Sequence, residues 1–277
     1  MKKKIAATLL IHLMAWVIAL IWIVPFLGVF MAAIRPMGEI IRGWWRVDPF
    51  TPTFQNFTAA WNHAAAPLAE GMLNSLRVAI PATIVPILVA AIAAYGFSRF
   101  RFPLKNYLFI AIVILMTIPQ QMIAIPIFRI MNDIGLLNTH AGLILVHAAW
   151  GIPWILFFMR NFFTTLPIEV EEAARIDGAS DFNIFFRIVL PMSIPALISA
   201  VVLQFMWVWN DFFLALILIF SPDKMLATQR IPLLRGVFHV DWGVLAAGTI
   251  LVMIVPILVF ALLQRYYIKG MIGWASK

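Results

Sequence analysis

The stretch Glu169–Pro191, EVEEAARIDGASDFNIFFRIVLP, is a polar segment between two long apolar runs, and it carries five of the twelve acidic residues of the chain. Pro167 just before it and the acidic residues of its first turn predict the start of a helix. Gly178 predicts a sharp turn, and Ser180 predicts the cap of a second short helix that ends at Pro191. The pattern indicates helix, turn and helix outside the hydrocarbon, and it also fits an ordinary solvated loop helix.

The composition surrounding this stretch is that of a membrane protein. The chain has 277 residues, of which 64% are hydrophobic and 12% are charged, whereas a soluble domain carries about 25% charged residues. Several apolar runs exceed about 18 residues and no alternating barrel pattern is present. The sequence therefore predicts an all-α polytopic membrane protein.

Charge and cysteine content narrow the function further. The formal net charge is +8, but the basic residues are spread over many short loops and form no continuous stripe, so we expect no nucleic-acid binding. The positive charge is better explained by contact with a lipid bilayer. The absence of cysteine excludes disulfides and thiolate metal sites.

Six transmembrane helices are predicted in a single membrane domain, 1–277. The spans are approximately 5–34, 78–97, 107–127, 141–159, 188–220 and 244–263, and the polar loop covers 165–191. Six spans place both termini on one side. The segments on that side carry twelve of the twenty basic residues and the opposite segments carry eight, so the positive-inside rule places both termini and the polar loop in the cytoplasm.

Catalytic signatures are missing from the sequence. There is no GxxxxGK[ST] phosphate-binding loop, so we expect no ATP site of the usual kind on this chain. The histidines are scattered and no HExxH pattern occurs, so neither a catalytic site nor a metal site is predicted.

A polar and aromatic group interrupts the fifth apolar run. Trp207, Trp209, Asn210 and Asp211 lie together, and Asp211 is the carboxylate within that run. Such residues usually face a cavity or a partner, and aromatic rings with amides and carboxylates suit a hydroxyl-rich substrate. The same group also fits an interfacial aromatic belt with an aspartate at a helix end. Further candidates for a polar lining are Gln204, Gln120 and Gln121.

The polar loop also carries a family resemblance. Glu172-Ala173-Ala174, then Asp177-Gly178-Ala179, then Ile188, Leu190 and Pro191 resemble the EAA loop of ATP-binding-cassette importer permeases. The resemblance extends along the chain in NSL at 74–76, AYGFSRFRFP at 94–103, WND at 209–211 and QRYY at 264–267. In these motifs the chain is similar to the maltose-type carbohydrate permeases, and in particular to their MalG-like, six-span subunit.

This resemblance implies a function. The chain would be a permease subunit of a binding-protein-dependent, ATP-driven sugar importer in the bacterial cytoplasmic (inner) membrane. Its implied partners are a second homologous (MalF-like) permease, two (MalK-like) ATPase subunits that hold ATP and Mg, and an extracytoplasmic sugar-binding protein. The residues implied to couple it to the ATPase are Glu171, Glu172, Ala173, Ala174, Arg175, Asp177, Gly178 and Ala179.

The alternative is an ion-coupled secondary sugar transporter. Such a carrier ordinarily needs several intramembrane carboxylates or an inverted repeat. Here Asp211 stands nearly alone in the spans and no inverted repeat is evident, so the sequence favours the importer.

Overall fold

The computed structural model describes the backbone of residues 2–236 and 240–275 and the side chains of residues 8–236 and 240–266. All regular secondary structure in those ranges is helical, which confirms the predicted all-α class. The α-helices are α1 Lys2–Ala33, α2 Met37–Ile40, α3 Gln55–Trp61, α4 Leu68–Arg99, α5 Lys105–Leu115, α6 Ala124–Asp133, α7 His140–Phe163, α8 Ile168–Ile176, α9 Asp181–Ile184, α10 Leu190–Met192, α11 Ile194–Trp209, α12 Phe213–Leu218, α13 Ala227–Arg230 and α14 Trp242–Ala275. Three 3₁₀ turns, Gln120–Ile123, Pro222–Lys224 and Pro232–Arg235, and one π-helical turn, Phe185–Val189, lie between them.

The described residues fall into two units. The first comprises Met1–Ala69 and Arg230–Ile254, and the second comprises Glu70–Gln229 and Val255–Lys277. The second unit contains every residue that the sequence singles out for coupling or for a pathway.

Among the residues that the structure describes, four unbroken helices are long and apolar enough to cross a membrane. They are Thr8–Ala33, Leu68–Arg99, His140–Phe163 and Trp242–Tyr266. These helices correspond to the spans predicted at 5–34, 78–97, 141–159 and 244–263, although α4 begins ten residues before its predicted span. Hydropathy locates only the apolar part of a helix. The helical hydrogen bonds of α4 extend into the more polar residues that precede this part, so the helix begins earlier than the predicted span.

The span predicted at 107–127 is not a continuous helix. It consists of α5 and the Gln120–Asp133 segment, whose axes differ by 92°. Pro119 lies in the gap between them with an extended backbone. Proline disfavours the α conformation of the residue before it and offers no N–H of its own, so the helix ends there.

The span predicted at 188–220 is also broken. Asp181–Met192 and Ile194–Trp209 are bent by 74° relative to each other at Ser193. Pro191 and Pro195 flank the bend, and each removes one backbone donor. At the bend the Ser193 hydroxyl donates to the carbonyl of Val189 at 2.7 Å, and the Ser193 N–H donates to the same carbonyl at 3.1 Å. Pro191 does not end the preceding helix as predicted, since that helix continues to Met192.

The polar loop packs against the hydrophobic core of the second unit. Small residues of α4, among them Ala90 and Ala94, are fully buried against the large side chains of α7 and of residues 184–189 in the second half of the loop. Small side chains let membrane helices approach closely. Phe163, just before the loop, and Ile184, in its second half, belong to the same buried cluster, so the loop is packed against α4 at both places.

The first unit contains a buried arginine just after α1. Arg35 is 0% exposed and donates to Glu39 Oε2 at 2.8 Å and to the carbonyls of Arg46 and Pro49 at 2.7 and 2.8 Å. Desolvation acts to raise the pKa of Glu39, but hydrogen bonds from Thr51 and Arg35 outweigh it and hold this pKa below its ordinary value. The segment that follows α1 is therefore a folded structure built around one guanidinium.

Candidate functional site

The polar loop folds as the predicted helix, turn and helix. α8 follows Pro167, whose backbone is extended. At its end Gly178 has φ of +81°, a left-handed conformation that glycine adopts at little cost. Gly178 N donates to Arg175 O at 3.0 Å and Ala179 N donates to Ala174 O at 2.9 Å. These two bonds form a Schellman turn, so the sequence identified the correct glycine.

The second helix of the loop begins at a serine cap. The Ser180 hydroxyl accepts a hydrogen bond from Asn183 N at 3.4 Å, as the sequence predicts. Across the turn, Arg175 donates to Asp181 Oδ1 through Nη2 at 2.9 Å and through Nε at 3.2 Å. Both side chains are largely open to solvent, so this pair shapes the turn and adds little stability.

Glu171 faces inward, unlike its neighbours in the loop. Its Oε1 accepts from Arg99 Nε at 2.7 Å and its Oε2 accepts from the Tyr95 hydroxyl at 3.2 Å. The Glu171 and Arg99 side chains are only 2% and 7% exposed. Both partners belong to the last two turns of α4, and Arg99 Nη2 also donates to the carbonyl of Leu166 at 3.4 Å. Glu171 therefore anchors α8 to the end of a membrane-spanning helix.

Most of the remaining predicted coupling residues lie on the outer face of the loop. Glu172, Ala173, Arg175, Asp177 and Gly178 are exposed, whereas Ala174 and Ala179 are half-buried and pack against the core cluster of the second unit.

Two large apolar residues on the loop were missed by the sequence reasoning. Ile176 is 86% exposed and Phe182 is 71% exposed. Both flank the turn at Gly178, since Ile176 is the last residue of α8 and Phe182 lies in the first turn of α9. The sequence did hold a signal for Ile176. It is an isoleucine at the end of a helix, just before a glycine turn, where it does not belong to an apolar helix face.

Among the predicted pathway residues, Asp211 has a structural role. It is largely buried, and its carboxylate oxygens accept from Leu214 N at 3.3 Å and Ala215 N at 3.0 Å. It thus caps the first turn of α12, which follows a short non-helical segment after the end of α11 at Trp209. His147 of α7 places its Nε2 at 3.5 Å from Asp211 Oδ2. The interruption between α11 and α12 leaves backbone N–H groups of α12 without an intrahelical acceptor, and Asp211 accepts from two of them.

The other predicted pathway residues are spread over several environments. Trp209 is buried and stacks on Phe205 with ring centroids 5.7 Å apart. Asn210 is exposed and donates to the carbonyl of Met206 at 2.8 Å. Gln120 is half-buried and Gln121 is exposed.

A cavity of about 770 Å³ lies within the second unit. Its wall combines the bent α5–α6 segment with α7 and α11, and it is mostly apolar. Of the predicted pathway residues Gln204 and Trp207 line it, together with His147 and two tryptophans of α7, Trp150 and Trp154. The tryptophans of α7 were not singled out by the sequence reasoning.

Comparison with known families matches residues 82–273 to the family described as "Binding-protein-dependent transport system inner membrane component". The match covers the polar loop, the cavity and the breaks in both bent spans. The chain belongs to this family of transport permeases. The ion-coupled carrier considered from the sequence has no support in this assignment.

Relatives of the permease carry transport functions in their names. It is 58% identical over 272 residues to "Probable ABC transporter permease protein PH1036" of Pyrococcus horikoshii, covering 98% of this chain and 99% of the relative. It is 39% identical to "Osmoprotective compounds uptake permease protein GgtD" of Synechocystis sp., over 96% and 91% of the two chains. It is also 39% identical to "Alpha-glucoside transport system permease protein AglG" of Rhizobium meliloti, over 77% and 58%.

A solved structure has the same fold as the permease. A chain of a bacterial ABC transporter involved in the import of the acidic polysaccharide alginate superposes with a TM-score of 0.79. The match covers 94% of this chain and 96% of that chain at 22% identity. The family match and the relatives, together with this shared fold, confirm the resemblance to ATP-binding-cassette importer permeases that the EAA motif indicates.

Proposed function

We propose that this permease imports a sugar, in the class of disaccharides, oligosaccharides or glycosides. The named relatives include an alpha-glucoside permease, and the superposed structure belongs to a polysaccharide importer. The cavity of the second unit has three tryptophan side chains in its wall, and aromatic faces stack on sugar rings.

The proposed assembly has four kinds of component. This chain forms the translocation pathway with a second homologous permease subunit. Two cytoplasmic ATPase subunits bind ATP and Mg and hydrolyse the ATP, because this chain has no phosphate-binding loop. An extracytoplasmic sugar-binding protein delivers the substrate. Within the first span, Thr8–Ala33, the residues of an 18-residue apolar stretch are not buried by the rest of the chain. This supports their contact with a partner subunit or with lipid.

The polar loop is the proposed docking site for an ATPase subunit, and one observation carries this proposal. α8 presents Ile176 and Glu172 to the outside, while Glu171 on its inner face is bound to Arg99 and Tyr95 of α4. A helix that is exposed on one side and ionically anchored on the other can pass a displacement of the ATPase to a span. Closure of the ATPase dimer then moves the permease as a rigid body.

The orientation follows from charge. The segments on the side of the N-terminus carry twelve of the twenty basic residues, so both termini and the polar loop are placed in the cytoplasm.

The test is uptake by the complete transporter in proteoliposomes. The permease pair and ATPase subunits are reconstituted, the binding protein is added on the outside, and labelled α-glucosides are supplied. We expect uptake that requires ATP on the ATPase side and the binding protein outside, and that a protonophore leaves unchanged. Uptake that is driven by a proton gradient without ATP would overturn the proposal.

A further inference from the structure

Gln204 is a buried amide of α11 that bonds to two other helices of the second unit. It is 2% exposed. Its Nε2 donates to the carbonyl of Ala82 in α4 at 3.1 Å and to the carbonyl of His147 in α7 at 3.4 Å. Its Oε1 accepts from Trp154 Nε1 in α7 at 2.9 Å. Both ends of the amide are therefore occupied by protein groups.

The bond to Ala82 has a specific cause in the sequence of α4. Pro86 lies inside that helix, four residues after Ala82, and proline has no N–H to donate to the carbonyl at position i−4. An unpaired carbonyl is costly in a membrane, and prolines are tolerated in spans where a neighbouring group replaces the lost donor. Gln204 supplies that donor from a position 122 residues away.

The approach of Gln204 to α7 depends on a glycine. A Cβ at Gly151 would lie 2.7 Å from Gln204 Nε2 and 3.0 Å from Gln204 Oε1. Real Cβ atoms essentially never come within 3.0 Å of another heavy atom, so any larger residue would displace the amide. A glycine inside a helix costs about 1 kcal/mol relative to alanine, and the space for this amide accounts for its presence in α7.

We propose that Gln204 is a positioning residue that locks α4, α7 and α11 together, and that its amide does not bind the transported sugar. We call Gln204, Gly151 and Trp154, with the Ala82 carbonyl, the glutamine lock. α4 also carries Tyr95 and Arg99, which bind Glu171 of the polar loop. A displacement of α8 therefore reaches α7 and α11 through α4, and the three helices move as one body.

The functional test rests on the proposed transport activity and uses the reconstituted complete transporter. Gln204→Leu removes every bond of the amide at similar volume, and Trp154→Phe removes only the donor to Oε1. For Gln204→Leu we expect the ATP hydrolysed per sugar transported to rise about fivefold, the lower range of a typical coupling, at an unchanged half-saturating sugar concentration. A raised half-saturating concentration at an unchanged ATP-to-sugar ratio would identify Gln204 as a sugar contact and overturn the lock. Gln55→Leu, at an exposed glutamine of α3, is the control.

A second measurement does not depend on transport. In the purified complete transporter, Gly151→Ala is compared by thermal unfolding in the native background and in a Gln204→Ala background. If the added methyl group acts through the amide, its destabilisation should shrink by roughly 3 °C in Tm once the amide is gone. Additive Tm shifts would refute the lock. If instead the native transporter moved no disaccharide, oligosaccharide or glycoside, the proposed substrate class would fail while this cycle still reported on the lock.

Discussion

Arg99 and Glu171 are 72 positions apart in the chain and form an ion pair with an Nε–Oε1 distance of 2.7 Å. Their side chains are 7% and 2% exposed, so water screens the pair little. The pair joins the end of a membrane-spanning helix to the inner face of α8. We propose that ATP is hydrolysed on another subunit. This ion pair is then the contact through which a displacement of α8 by that subunit reaches the membrane-spanning helix α4.

Removing the charge of Glu171 should weaken this link. Glu171→Gln leaves the Arg99 guanidinium buried without a carboxylate, which costs about 3 kcal/mol when one partner of a buried pair is lost. We expect a lower free energy of unfolding in denaturant and reduced sugar uptake with ATP hydrolysis retained. The matched control is Glu172→Gln on the exposed face, for which stability should stay within about 0.5 kcal/mol of the native protein. Equal stability of the two variants would show that the pair does not anchor α8.

Gly178 should tolerate only residues that accept a left-handed backbone. A Cβ at this position would meet nothing within 4 Å, so the φ of +81° is the sole restriction. Gly178→Val should cost about 2 kcal/mol or more and reorient the two helices of the loop, so that ATP hydrolysis continues without sugar uptake.

The comparison for Gly178→Val is Gly178→Asn, because asparagine adopts this conformation more readily. Coupled uptake should be largely retained in the asparagine variant. Normal uptake in the valine variant would contradict the role assigned to this turn.

Ile176 should contribute to binding of the ATPase but not to the stability of the permease. It is 86% exposed, so Ile176→Ser should change the free energy of unfolding by less than about 0.5 kcal/mol. If Ile176 enters a cleft of the partner, the affinity for the ATPase should fall about tenfold or more, as for an interface residue that dominates binding. Co-purification of the ATPase at graded concentrations measures this. Ile41→Ser, at an isoleucine of similar exposure after α2, should leave ATPase binding unchanged, and equal losses in both variants would argue against docking at α8.

Asp211 should act as a helix cap. Asp211→Ala removes both acceptors of the first turn of α12 and should cost about 1 kcal/mol of stability, with reduced uptake. Asp211→Asn keeps one acceptor oxygen and should lie between the alanine variant and the native protein. A direct role in binding sugar would instead show as a raised half-saturating sugar concentration at native stability in either variant.

Local signals in the sequence predicted the spans and the polar loop. Runs of apolar residues located the membrane helices. Pro167, Gly178 and Ser180 located the starts and the turn of the loop, because each acts on the backbone within a few residues of itself. The two bends were missed, although Pro119 and the pair Pro191 and Pro195 were visible. A hydropathy window averages over prolines and does not register them. In a membrane a helix that contains a proline stays straight, kinks or breaks, depending on which group replaces the missing hydrogen bond.

The roles of individual polar residues depended on contacts between distant positions. Glu171 and Glu172 are neighbours of the same type, and only the position of Arg99 shows that one is an anchor while the other is exposed. Gln204 was predicted as a polar lining residue, and its bonds to Ala82 and Trp154 show that its amide is already paired.

The sequence by itself determined that the chain spans a membrane, where its apolar runs lie, and that it carries a helix, a glycine turn and a second helix in a polar loop. These features depend on hydrophobicity and on backbone preferences, which act over a few residues. Only the tertiary structure decided where the spans bend, which acidic residue holds the loop to α4, and which amide pairs the carbonyl freed by Pro86. Buried polar groups must find partners in a medium without water, and the partners here are supplied by residues as far as 122 positions away.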